Sequence, residues 1–220
     1  MLETKVLLFF NSFGTGKTST LIEAMLQLLD TNPRARILAC APSNSAADLL
    51  TTKLSAKLNK DQLFRFIAPS RDKKSVPDKV LEYTHTVELA DGDEGQFSHL
   101  RPGERPTRVC FSVPVGRIKL FRVVVSTCIS ASFAAGIGVP RGHFSHIFMD
   151  EAGQATEPEA MVSIKTLADN STNVILAGDP KQLGPIIRSP ISRELGLPKS
   201  YLERLMEREA YDIDTHAGVT

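Results

Sequence analysis

Five short apolar runs limit the fold more than any other feature of the chain: Val6–Phe10, Ile37–Ala41, Val123–Val125, Ile147–Met149 and Val174–Ala177. None alternates polar with apolar residues, as a strand with one wet face does. Continuous apolar runs of this length suit strands covered on both faces, and hence a parallel sheet. A further stretch, Leu63 to Ile67, reads as a more exposed strand. Helical spacing fills the gaps between the runs. Leu21, Ile22, Met25, Leu28 and Leu29 share one helix face, as do Ala47, Leu50, Leu54 and Leu58. Thr156-Glu157-Pro158-Glu159 announces another helix, with Thr156 and Glu159 as a capping box and Pro158 in the first turn. Strand and helix thus alternate, which predicts an α/β fold with a doubly wound, mainly parallel sheet and helices on both faces.

Composition narrows the function classes. With 42% hydrophobic and 23% charged residues the chain can bury a full core. Its net charge of +1 excludes a bulk polycation, so any nucleic-acid binding must come from a local patch. Three widely spaced cysteines, Cys40, Cys110 and Cys128, argue against a disulfide framework or a zinc site. No run is long enough for a bilayer span. The chain is expected to be soluble, intracellular and free of membrane contact. Residues 68–120 interrupt the strand–helix rhythm. Leu81 to Gln96 holds five acids and no Lys or Arg, and Arg101 to Arg122 holds six basic residues against Glu104 alone. A solvated insertion, such as a hairpin, is the favoured reading; a basic surface along a polyanion is the alternative. Residues 212–220 read as a tail after a helix carrying Leu202, Leu205 and Met206.

Chemistry concentrates where the runs end. Gly14-Thr15-Gly16-Lys17-Thr18-Ser19 follows the first run and opens the first helix. Glycines there let backbone N–H groups curl around phosphate oxygens, and the helix N-terminus adds partial positive charge. Lys17 would reach the β- and γ-phosphates, and the Thr18 hydroxyl would ligate Mg²⁺. The full phosphate-loop pattern has glycine where Asn11 stands, and Phe13 is bulky, which predicts weakened nucleotide binding. Asp150 and Glu151 end the fourth run. Asp150 would hold Mg²⁺, and Glu151 would orient and deprotonate an attacking water. Gly178 to Pro185 closes the fifth run, where the neutral amide of Gln182 could report on a γ-phosphate. Pro42, Ser43 and Asn44, with Ser126 and Thr127, put small polar groups at two more strand ends. Ser43 or Asn44 can cap the next helix, and the same groups can hold the phosphates of a single strand.

These motifs occur in an order that resembles superfamily 1 RNA helicases. Asp150-Glu151-Ala152-Gly153-Gln154-Ala155, followed by Glu157-Pro158-Glu159, is similar to the nonsense-mediated-decay helicase and its relatives. Cys128-Ile129-Ser130-Ala131, Leu183-Gly184-Pro185 and Tyr201 to Met206 most resemble the Armitage and Moloney-leukaemia-virus-ten group, known from RNA silencing. The resemblance implies a RecA-like P-loop NTPase domain over residues 1–211. It implies ATP on Gly14 to Ser19, Mg²⁺ at Thr18 and Asp150, hydrolysis by Glu151 and γ-phosphate sensing by Gln182. It also implies single-stranded RNA on Pro42 to Asn44, Ser126 and Thr127, with 5′-to-3′ movement. Silencing or RNA-decay proteins as partners, a monomeric state and a cytoplasmic or RNA-granule location belong to the same implication.

Such helicases close ATP between two sheet domains, and the second supplies arginines to the γ-phosphate. That domain is expected to be missing here, so the chain alone is expected to hydrolyse ATP weakly. The competing expectation is an inert, helicase-derived module that binds RNA or a protein partner. A small-molecule kinase fits less well, because it leaves the polar strand ends and the Gln182 loop without a purpose.

Overall fold

Each apolar run becomes a strand of one sheet. The computed structural model of the chain describes residues 6–10, 16–88, 109–111, 113–179, 184–208 and 211. The main sheet contains β1 (Val6–Phe10), β2 (Ile37–Ala41), β3 (Leu63–Arg65), β6 (Val123–Thr127), β7 (His146–Met149) and β8 (Asn173–Gly178). Their order is β1-β8-β7-β2-β6-β3, and every pairing is parallel. The remaining two strands, β4 (Thr86–Glu88) and β5 (Val109–Phe111), pair antiparallel in a separate ribbon. Residues 68–120 therefore include one antiparallel strand pair.

Strand pleating explains the non-alternating runs. Leu38 and Cys40 of β2, Ile147 and Met149 of β7, and Val174 and Leu176 of β8 face one core. Ile37, Ala39 and Ala41 of β2, with Phe148 of β7 and Ala177 of β8, face the other. Both sides of the central strands are thus apolar because helices cover both. On the second side lie α1 (Lys17–Thr31), through Leu21, Ile22, Met25 and Leu29, and α2 (Asn44–Leu54), through Ala47, Leu50 and Leu54. On the first lie α3 (Ala131–Gly136), α4 (Glu157–Leu167) and α5 (Tyr201–Met206). The Thr156–Glu159 capping box forms, with Thr156 N–H donating to Glu159 at 2.8 Å and Glu159 N–H to the Thr156 hydroxyl at 3.3 Å.

Two expectations need correction. Coverage on both faces fails at β1, where Leu7 is 60% exposed. This is one of the two edge strands, and α1 sends its buried residues to the cluster of β2, β6, β7 and β8 instead. Conversely, the strand expected to be more exposed, β3, is buried at all three residues. Leu63 packs with α2, Phe64 stacks on Phe121 with ring centroids 4.9 Å apart, and Tyr83 accepts the Arg65 N–H at 2.7 Å. Arg122, at the end of the basic stretch, serves the fold. Its guanidinium donates to the carbonyls of Leu29, Asn32 and Ala35 where α1 ends.

The register aligns the strand ends. Phe10 pairs with Gly178, Met149 with Leu176 and Cys40, and Ala41 with Thr127. Whatever follows β1, β8, β7, β2 and β6 therefore emerges along one rim of the sheet, where ligands of parallel α/β folds gather.

Candidate functional site

The rim is assembled from residues far apart in the chain. Gly16 starts α1 in the left-handed region, at φ 77°, and no side chain caps the helix there. Lys17 and Thr18 follow in its first turn. The Thr18 hydroxyl donates to Asp150 Oδ2 at 2.9 Å across 132 positions of sequence. Lys17 Nζ lies 3.8 Å from Asp179 Oδ2, with both side chains largely buried. The first turn of α1 thus meets the ends of both β7 and β8.

Close backbone packing holds the last two together. The segment after Asp150 turns through a 3-10 helix, Ala152–Gln154, against Gly178. A Cβ at Gly178 would stand 2.8 Å from Gly153 N and 2.7 Å from Leu202 Cδ2, and one at Gly153 would stand 3.0 Å from the Asp179 carbonyl. Only hydrogen fits at Gly178. Glycine at 178 is thus a structural requirement for placing the acids, and Gly153 is held in close approach beside it.

Asp150 is buried, and burial raises its carboxyl above the ordinary value despite the Thr18 hydrogen bond and the Glu151 N–H at 3.0 Å. Glu151 is half-buried and sits at φ 53°, the one non-glycine positive φ among the described residues. Holding a glutamate there costs on the order of 1 kcal/mol. Burial, and then the neighbouring Asp150 charge, raises its carboxyl too.

A hydroxyl and a desolvated carboxylate form a hard-oxygen donor pair that suits Mg²⁺, and an uncapped helix N-terminus beside a lysine suits phosphate. The residues present therefore fit a magnesium nucleotide. Because the folded Asp150 carboxyl titrates above its unfolded value, the folded chain binds that proton more readily. Stability then falls as pH rises through the window between the two values. Asp150→Asn should accordingly keep or raise the thermal midpoint at neutral pH in metal-free buffer. Its carbonyl can accept the Glu151 N–H while its amide donates to the Thr18 hydroxyl. A clear drop in the midpoint would show that the charge stabilises the fold instead.

The polar ends of β2 and β6 are neighbours, with Cys128 N–H donating to the Ala41 carbonyl at 2.9 Å. Pro42 and Ser43 are half-buried and Asn44 is exposed. Ser43 caps α2 by accepting the Ala46 N–H at 3.1 Å. Ser126 and Thr127 are buried beneath this surface. Ser126 faces the Cys40 thiol, which burial pushes up to about 11, and the Thr127 hydroxyl donates to that of Ser130 at 2.8 Å. Their side chains therefore do not join Asn44 at the surface. Ser19 is exposed in the first turn of α1. Asn11, Phe13, Gly14, Thr15 and Gln182 lie outside the described residues.

Two features went unassigned in the sequence. Asp179 stands inside Gly178–Pro185, where the sequence singles out Gln182 alone. A buried ionic cluster joins Arg65, Asp48 and Arg71 beneath Asn44, and no local pattern announces it.

Comparisons with known proteins give the family. The model of the AAA domain family matches residues 1–105 and 117–190. RNA helicase Mov10l1 of Homo sapiens is 41% identical over 212 residues, covering 96% of this chain and 15% of that protein. Probable RNA helicase armi of Drosophila melanogaster is 38% identical over 208 residues, covering 93% of this chain and 17% of that protein. The chain thus spans less than one fifth of the length of either relative. Among solved structures, an arterivirus nonstructural protein 10 helicase in complex with DNA covers 88% of this chain, which covers 33% of it, at 16% identity and a TM-score of 0.43. Among the described residues no helix is long and apolar enough to cross a membrane. By the family model and these relatives, the chain belongs to the AAA domain family and is an Armitage- and MOV10-like superfamily 1 helicase domain.

Proposed function

We infer that this helicase domain binds and hydrolyses ATP and couples that site to single-stranded RNA held at the ends of β2 and β6. The observation that carries the reading is the Thr18–Asp150 hydrogen bond, which joins the opening of α1 to the acidic end of β7. Gly14 to Ser19 would cradle the phosphates, with the Lys17 ammonium on the β- and γ-oxygens in place of its Asp179 contact. Thr18 and Asp150 would hold Mg²⁺, which when bound neutralises charge on the same phosphate oxygens.

Glu151 accepts a proton from water as the water oxygen bonds to the γ-phosphorus. The bond from that phosphorus to the β–γ bridging oxygen breaks, and its electron pair leaves with ADP. A raised carboxyl suits this task, because a base nearer neutrality takes the proton with more driving force. Gln182, three residues beyond Asp179, is assigned to the γ-phosphate or its attacking water. RNA is assigned to Pro42, Ser43 and Asn44, with Ser126 and Thr127 supporting that surface from beneath. Silencing or decay proteins as partners, and a cytoplasmic setting, extend the reading through the family resemblance.

The test is phosphate release by the purified chain in Mg²⁺-ATP, with and without a single-stranded oligouridylate. Mg²⁺-dependent release that rises with the oligonucleotide is expected. Oligonucleotide binding with no release and no nucleotide affinity would make the domain an inert binding module instead.

A further inference from the structure

Asn44 is exposed, yet its side-chain oxygen is held from below by two arginines. Arg65 Nη2 donates to Asn44 Oδ1 at 3.1 Å and Arg71 Nη1 donates to the same oxygen at 3.2 Å. Both guanidiniums are anchored in turn by Asp48. Arg65 Nε donates to Asp48 Oδ1 at 3.0 Å, and Arg71 donates to Oδ1 at 3.1 Å and to Oδ2 at 2.7 Å. Arg71 is fixed further by Ser75, through its hydroxyl at 3.2 Å and its carbonyl at 3.1 Å, and Arg65 by the Phe66 carbonyl at 2.6 Å.

A guanidinium only donates, so the group facing it must be the amide oxygen and never the amide N–H₂. Two donors on that oxygen leave the N–H₂ turned away from the arginines. Two cations against one carboxylate also leave a net positive charge behind the amide. Arg65 is wholly buried and Arg71 nearly so, which places that charge where salt screens it least.

We propose that Arg71, with Arg65 and Asp48, is a positioning device that locks Asn44 as an obligate hydrogen-bond donor toward a backbone phosphate of the bound single strand. The proposal rests on the assignment of RNA to Pro42–Asn44 and adds what that assignment lacks: the direction of the Asn44 amide and the residues that set it. It also ties the RNA surface to the 65–76 segment, since Ser75 and Phe66 hold the arginines.

The test is a double-mutant cycle on binding of a fluorescent oligouridylate to the 220-residue chain. Arg71→Ala should weaken binding about fivefold when Asn44 is present and less than about twofold in an Asn44→Ala background, because neighbours acting through one another are not additive. Asn44→Asp supplies a second readout. The arginines still meet an acceptor oxygen, so the thermal midpoint should hold or rise. The outward donor is replaced by an anion, so affinity should fall about tenfold and the salt slope by about one contact.

Equal losses from Arg71→Ala in both backgrounds would overturn the proposal and leave Arg71 as a fold or bulk-charge residue. Wild-type affinity in Asn44→Asp would overturn it as well. If the unmutated chain fails to bind the oligouridylate at all, the RNA assignment itself falls and the proposal with it.

Discussion

Glu151→Gln is expected to slow Mg²⁺-ATP hydrolysis by about 10²–10⁴-fold while leaving nucleotide affinity within a factor of about two. The substitution keeps the size of the side chain and the backbone N–H that donates to Asp150. It removes one thing, an oxygen able to take a proton. Affinity should survive because the residues assigned to the phosphates and Mg²⁺ are Lys17, Thr18 and Asp150.

The pH dependence supplies an independent check. Burial and the Asp150 charge hold the Glu151 carboxyl above its ordinary value of 4.5. A protonated base cannot accept a proton, so the rate should fall on acidification, and should begin to fall at a higher pH than an unperturbed glutamate would impose. That acid limb should disappear in the glutamine variant. Single-turnover phosphate release across pH, for both proteins, measures both effects. A glutamine variant that hydrolyses as fast as the parent would remove Glu151 from the reaction.

The fold was legible because its signal is chemical and local. Five runs without alternation require cover on both sides, and four of the five receive it. The fifth, β1, misled because periodicity says nothing about which strand takes the edge. β3 misled in the opposite direction: Arg65 inside Leu63 to Ile67 looks like an exposed residue in sequence. Its guanidinium is buried only because Asp48 and Asn44, from the next helix over, meet it there. Burying such a pair sets desolvation against Coulomb attraction and depends on geometry that spacing cannot encode. Burial lowers the Arg65 guanidinium to about 10, which still leaves it charged at neutral pH.

The site divides in the same way. Thr18 and Asp150 could be paired from motif order, because a loop opening a helix and acids ending a strand share the rim of a parallel sheet. The Lys17–Asp179 contact could not, since Asp179 reads as a turn residue before proline. Nor could the demand for hydrogen at Gly178, which arises only when the Gly153 backbone is packed against it. Burial of Ser126 and Thr127 was hidden for a related reason, as small hydroxyls are equally at home over a ligand or under a surface.

In the proposed function, the first turn of α1 and the ends of β7 and β8 converge on one magnesium nucleotide. Lys17 carries the largest binding share in that account. Its ammonium would exchange the 3.8 Å contact with Asp179 for phosphate oxygens, a charge-assisted interaction whose loss costs about 1.5–3 kcal/mol. It lies in the opening turn of α1, ahead of the helix's first buried residue, Leu21, and outside both apolar clusters, so removing it should leave the fold intact. The decisive measurement is a titration of a fluorescent ATP analogue, with and without Mg²⁺, against the parent chain and Lys17→Ala. Saturable, Mg²⁺-dependent binding that weakens about 10–100-fold in the variant, at an unchanged thermal midpoint, is the result expected. No Mg²⁺-dependent binding by the parent at millimolar ligand, or equal affinity in the two proteins, would contradict the claim.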